Sequence, residues 1–370
     1  MPGVELEPGE QPLVAGRVEP AGDQTRAEDA LRAMRAGIEL VYRGDARGLH
    51  QLYSAIKRRI ERRHRIAAGR RNRQSADALE LFHRERISRH EEHRLLSRLV
   101  IELGPDYTPL YLSHRPDVAA ACSAAWAPSE RSAPLVISYR ELLGLLGAWQ
   151  WQCRGVFVPA LGGRVHARYG VFPPTRHDYL ELVASAPPAR GLKVFDLGTG
   201  TGVLALVQAR SGARDVVATD SNPVAVECAR DNVARFGLDA IVRVEHRDLY
   251  PEGTADRVLF NPPWLPGKPR TPLERGIFDP EGALLARFFE GLGSHLSANG
   301  EGWLVLGDLA ERLGLRPADH VERLAAEHGF YIGWVSTRPA PRQGRPDEPE
   351  RLKALRAEEQ VRLICVMRNA

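Results

Sequence analysis

The residues best placed to do chemistry lie near position 261. An apolar run, Val258-Leu259-Phe260, ends in Asn261, Pro262, Pro263 and Trp264. Neither proline has an N–H, and the rings fix the backbone so that the carbonyls are held as rigid acceptors. The Asn261 side-chain oxygen and the Pro262 carbonyl could together accept both N–H bonds of a planar NH2 group, while Trp264 stacks on its plane. Such a clamp draws the nitrogen toward tetrahedral geometry and frees its lone pair. It suits the exocyclic amine of a nucleobase or a side-chain amide.

A second constellation precedes it. Val194-Phe-Asp-Leu-Gly-Thr-Gly-Thr-Gly202 reads as strand, tight turn and helix start, with Gly198, Gly200 and Gly202 letting backbone approach a ligand. A dinucleotide fingerprint needs a small residue at the sixth position from the first glycine. That position is Val203, and an acid at Asp196 would repel a pyrophosphate, so a nicotinamide oxidoreductase fits poorly. S-adenosyl-L-methionine offers instead an ammonium, a carboxylate and a ribose. Asp196 could accept from the ammonium. Asp220, 22 residues beyond Gly198, could take both ribose hydroxyls, and Asp248 could meet the adenine edge. Thr199 completes the turn. If a base is used, Glu274 and Asp279 are its candidates, although surface ion pairing is the plainer role for each. His166 and His177 read as structural.

These residues need a scaffold. Strand patterns at 193–197, 215–219, 241–245, 257–260 and 302–306 alternate with helical ones at 203–211, 222–236, 282–297 and 317–328. Such alternation predicts an α/β fold, a Rossmann-like and mostly parallel sheet with helices on both faces. Two further strand patterns, 330–337 and 360–367, have no long helical pattern between them and should pair as a hairpin, leaving the last strand antiparallel. Before this domain (156–370), Leu31, Met34, Ile38 and Val41, then Leu49, Leu52, Tyr53, Ile56 and Ile60, recur at helical spacing. A third helical pattern covers 76–100, a short one 117–126, and an apolar stretch 142–151. Residues 25–155 are therefore expected to form a mainly helical accessory domain, opened by a capping box at Thr25–Glu28. Residues 1–24, with eight Pro or Gly, are expected to be a disordered tail.

Residues 164–370 resemble the class I S-adenosylmethionine-dependent methyltransferases, and among them the group with an NPP(Y/F/W) motif. That group includes HemK-like glutamine N5-methyltransferases and enzymes acting on nucleobase amines. Tyr169-Gly-Val-Phe-Pro-Pro-Thr-Arg176 resembles the segment that closes over the cofactor in these enzymes, which implicates Thr175. The resemblance implies cofactor binding by Asp196, Gly198, Gly200, Asp220 and Asp248, and acceptor binding by Asn261, Pro262 and Trp264. HemK-like enzymes usually carry Tyr where this chain has Trp264.

Composition narrows the rest. Mean hydropathy is −0.31 and no apolar run is long enough to span a membrane, so no membrane association is expected. Without a signal-peptide pattern at the N-terminus, a cytoplasmic location is expected. Cys122, Cys153, Cys228 and Cys365 lie far apart with no metal-ligand spacing. Residues 51–100 hold fourteen Lys/Arg against six Asp/Glu. That segment is either a solvated face or a surface for nucleic acid or an acidic protein. The expected partner is a macromolecular substrate, RNA, DNA or protein. A small-metabolite methyltransferase and a non-catalytic binding module are the alternatives, and the oligomeric state is open.

Overall fold

The computed structural model describes residues 17–71, 77–112, 116–126, 134–269, 273–340 and 348–369. The chain forms two compact units, residues 1–150 and 151–370.

In unit 1 the strands β1 (Val18–Ala21), β2 (Glu39–Tyr42), β3 (Leu99–Leu103) and β4 (Leu135–Ser138) lie side by side in that order. The helices are α1 (Ala27–Arg35), α2 (Ala46–Arg71), α3 (Ala78–Leu96), α4 (Pro116–Ala125) and α5 (Tyr139–Arg154). Helices supply most of the unit's described residues, but the sheet they accompany is a correction to the sequence reading. Ile38 and Val41 do not continue α1. Gly37, with φ +89°, ends the helix, and the chain turns directly into β2. Part of the expected tail is also ordered. Residues 1–16 lie outside the described residues, whereas Val18–Ala21 pair in parallel with Glu39–Tyr42. Pro20 is tolerated there because β1 is an edge strand. Thr25 builds no capping box. Its hydroxyl accepts from the Gly22 N–H, and Arg26 is the N-cap.

Unit 2 opens with a small hairpin, β5 (Val156–Val158) and β6 (Gly163–Val165), and α6 (Asp178–Ser185). Then follow β7 (Lys193–Leu197), α7 (Val203–Arg210), β8 (Asp215–Asp220), α8 (Pro223–Arg235), β9 (Val242–His246) and β10 (Ala255–Phe260). A two-residue pair, β11 (Leu265–Pro266) and β12 (Phe278–Asp279), precedes α9 (Ala283–His295) and β13 (Leu296–Gly307). The end comprises α10 (Leu309–Arg312), α11 (His320–Glu327), β14 (Phe330–Pro339), α12 (Glu350–Ala357) and β15 (Gln360–Arg368).

The main sheet has the order β14-β15-β13-β10-β7-β8-β9, and β15 runs antiparallel to both its neighbours. Burial on both faces explains the near-continuous apolar strands. Successive residues alternate between two cores. Val194, Val216, Leu259, Trp303 and Leu363 pack with α6, α7 and α8, whereas Phe195, Val217, Phe260, Leu304 and Ile364 pack with α9 and α11. The strands after β7 proceed one way through β8 and β9, and the other way through β10 and β13. Ligands of open α/β sheets bind where the order reverses, outside the carboxyl ends of the strands. Here that is the crevice beyond β7 and β10.

Candidate active site

The register of the sheet brings the two motifs together. Phe260 pairs with Leu197 and Leu197 pairs with Thr219, so Asn261, Gly198 and Asp220 leave three adjacent strands at the same level. Gly198, Gly200 and Gly202 have φ of +61°, +57° and +80°. The tight turn is thus built from left-handed conformations that side chains resist. Gly202 has a second reason to lack a side chain, since a Cβ would lie 3.2 Å from that of Ala229 on α8. At Gly200 a Cβ would meet nothing within 4 Å, so this part of the turn faces open space.

Asp196, anticipated as an ammonium acceptor, is engaged within the turn itself. It is 1% exposed, and one carboxylate oxygen accepts from the Thr199 hydroxyl at 2.6 Å and the Ala205 N–H at 3.0 Å. It braces the turn from within. Burial pushes its pKa up to about 7, against those two bonds. The Thr199 hydroxyl is consumed by the same brace. Asp220 is half-buried at the end of β8. Its oxygens accept from the N–H groups of Gly200 and Asn222, each at 2.9 Å. Burial raises its pKa, partly offset by these N–H groups and His246. A carboxylate has about four lone-pair directions, so both oxygens keep capacity for a further donor. Asp248 is exposed and paired with Arg287 at 3.0 Å. Thr175 is exposed, with its N–H on the Pro173 carbonyl.

Beyond β10, the indole N–H of Trp264 donates to the Asn261 side-chain oxygen at 2.9 Å. Pro262 is buried. Trp264 is not a bare stacking face. The Arg176 guanidinium lies over its ring, 4.6 Å from the centroid, and a Cβ on Gly307 would come within 2.5 Å of the ring. Arg176 is itself held by Asp178 and, at 3.6 Å, by Glu359, both carboxylates being nearly buried. Burial raises the Glu359 pKa and the Arg176 charge opposes that rise. Sequence reasoning quoted Arg176 but assigned it no role, and missed Glu359. Their contact joins positions far apart in the chain, and no local pattern announces it.

Asp279 is buried and is not the surface ion-pair partner anticipated. At 3% exposure its carboxylate caps α9 by accepting from the Leu284 and Leu285 N–H groups. Glu274 is half-buried. His166 is structural, with Nδ1 2.7 Å from the Gln152 carbonyl and its backbone bonded to Asn232.

Residues 162–332 match the family model of the methyltransferase small domain. Over these residues unit 2 is similar to the methyltransferase small domain. A ribosomal protein L11 methyltransferase of Symbiobacterium thermophilum is 45% identical over 71 residues, 19% of this chain and 23% of that protein. A Methanocaldococcus jannaschii protein described as an N5-glutamine methyltransferase is 32% identical over 91 residues, 24% of this chain and 45% of its own. A ribosomal protein L11 methyltransferase of Sorangium cellulosum is 28% identical over 221 residues, 53% of this chain and 63% of that protein. The chain therefore spans less than two thirds of each of these relatives. Among the described residues, no helix is long and apolar enough to cross a membrane, and no cluster of His, Cys, Asp or Glu could hold a metal ion.

Proposed function

We propose that this chain is an S-adenosylmethionine-dependent N-methyltransferase acting on a planar amide or amino nitrogen of a macromolecule. The observation that carries the reading is the register that sets Asn261 beside the glycine turn and Asp220, at the reversal of strand order. The residues fit the cofactor. The open backbone at Gly200 leaves a cradle that any side chain would enter, and Asp220 has lone pairs left for two ribose hydroxyls. When bound, the cofactor supplies an electrophilic methyl group on a sulfonium.

The chain's own contribution is positioning. Asn261 and the Pro262 carbonyl hold the acceptor NH2 and orient its lone pair toward that methyl. In-line geometry and exclusion of water then account for most of the acceleration. The nitrogen loses its extra proton readily once substituted, so no strong base is needed. A macromolecular acceptor is supported by the relatives, two named for a ribosomal protein and one for protein glutamine.

Calorimetric titration tests the cofactor half of this reading. S-adenosylmethionine should bind to the full chain and NAD should not. Binding of NAD in preference to S-adenosylmethionine would overturn it.

A further inference from the structure

Unit 1 carries a row of cations that form no ion pair among the described residues. On α2, Arg58, Arg59, Arg62, Arg63 and Arg65 are all exposed, and none has a carboxylate partner among the described residues. The neighbouring acids are already engaged elsewhere. Glu61 faces Lys57, Glu91 faces His64, and on α3 Glu80 and Glu85 hold Arg84 and Arg89. Arg35, exposed at the end of α1, has its pKa lowered by burial and then by the Arg63 guanidinium, with Glu91 opposing both. Like charges are therefore crowded across two helices, which costs stability unless an external anion compensates. The helix dipole does not explain the row, because its favourable effect on cations is confined to the last turn and α2 continues to Arg71.

The opposite side of the helix decides how a polyanion could meet it. Leu52, Ile56 and Ile60 are buried, so α2 is fixed in its unit and meets a polyanion through its arginine face. The exposed row contains no aromatic side chain on which a base could stack, which disfavours single strands. Duplex RNA is recognised mainly through shape and phosphates rather than by groove readout. Guanidinium forks match phosphate oxygens bidentately.

We propose that this face of α2 binds the phosphate backbone of double-stranded RNA. The surface belongs to unit 1, and its binding does not depend on the methyl-transfer reading. Arg70 and Arg71 extend the basic run in sequence, but their side chains lie outside the described residues.

Fluorescence anisotropy of the full chain with an RNA duplex of about 16 base pairs, the span of a dedicated duplex-RNA module, tests the proposal. Five phosphate contacts should give a log–log salt slope of about −4 to −5. The double variant Arg62→Ala/Arg63→Ala should make the slope less steep by about 2, and Arg62→Lys/Arg63→Lys should keep it. Circular dichroism of both variants checks that they fold. Negligible RNA binding at about 50 mM salt, an unaltered slope in the alanine variant, or tighter binding of a DNA duplex or a polyglutamate peptide would each overturn it. Titration of the same samples with S-adenosylmethionine reads the methyl-transfer proposal separately, so either can fail without the other.

Discussion

Trp264 donates its indole N–H to the Asn261 side-chain oxygen at 2.9 Å. An indole N–H can only donate, so the orientation of the Asn261 amide is set by its neighbour: oxygen toward Trp264. That oxygen keeps a second lone pair, which the proposed acceptor nitrogen would use. Arg176, over the indole ring, is in turn tied to Asp178 and Glu359. The aromatic residue of the motif thus supports Asn261, a role that a phenylalanine at this position could not fill.

Replacing Trp264 by Phe keeps a ring beneath Arg176 and removes the bond. A net hydrogen bond of about 0.5–1.5 kcal/mol implies turnover lower by about two- to tenfold. Cofactor affinity should not change. Single-turnover kinetics on the acceptor would show this, and unaltered turnover would mean that the indole does not orient Asn261.

Asp220→Ala removes the proposed ribose contact and also the acceptor for the Gly200 N–H. S-adenosylmethionine affinity should fall by at least about tenfold, the scale of one charge-assisted hydrogen bond. Calorimetry on the folded variant measures it. Unchanged affinity would remove Asp220 from the site.

Asp196 makes stability depend on pH. Its carboxyl titrates near 7 in the folded chain, pushed up by burial, against an ordinary value of 3.8. Between about pH 4 and 7 the folded state keeps a proton that the unfolded state has released. The group's contribution to stability therefore declines as pH rises through that window and is level above it. Asp196→Asn abolishes the titration and can keep the bonds from Thr199 and Ala205. Denaturant unfolding across pH should show the wild type losing ground to the variant from pH 4 to 7. Parallel curves would contradict this.

The contrast between the units explains what the sequence made legible. In unit 2, strands such as Val194–Leu197 and Val216–Thr219 are buried on both faces and separated by long helical patterns, so their period and punctuation agree. The residues that meet at the switch point, Gly198, Asp220 and Asn261, each end a strand and could be read from that position. In unit 1, β2 and β4 are four residues long and β3 follows α3 after only two residues. Short apolar runs cannot be distinguished from buried helix by periodicity. Ile38 and Val41 fit a helical stripe until Gly37 turns the chain. Within the site, burial and not residue type separated the roles of the acids. Asp196 and Asp279 are sealed in as braces, Asp248 is paired at the surface, and Asp220 alone of the three strand-end acids keeps a half-buried carboxylate at the turn.

The central claim, methyl transfer to a nitrogen held by Asn261, is tested most directly by following tritiated methyl from S-adenosylmethionine into fractionated RNA, DNA, protein and small molecules from cells lacking this protein. Wild type should label a macromolecular fraction with the methyl on nitrogen. Asn261→Ala should bind the cofactor normally yet label it about 10²-fold more slowly, the cost of losing one positioned polar group. No label in any fraction from a wild type that binds the cofactor, or near-normal labelling by the variant, would contradict the account.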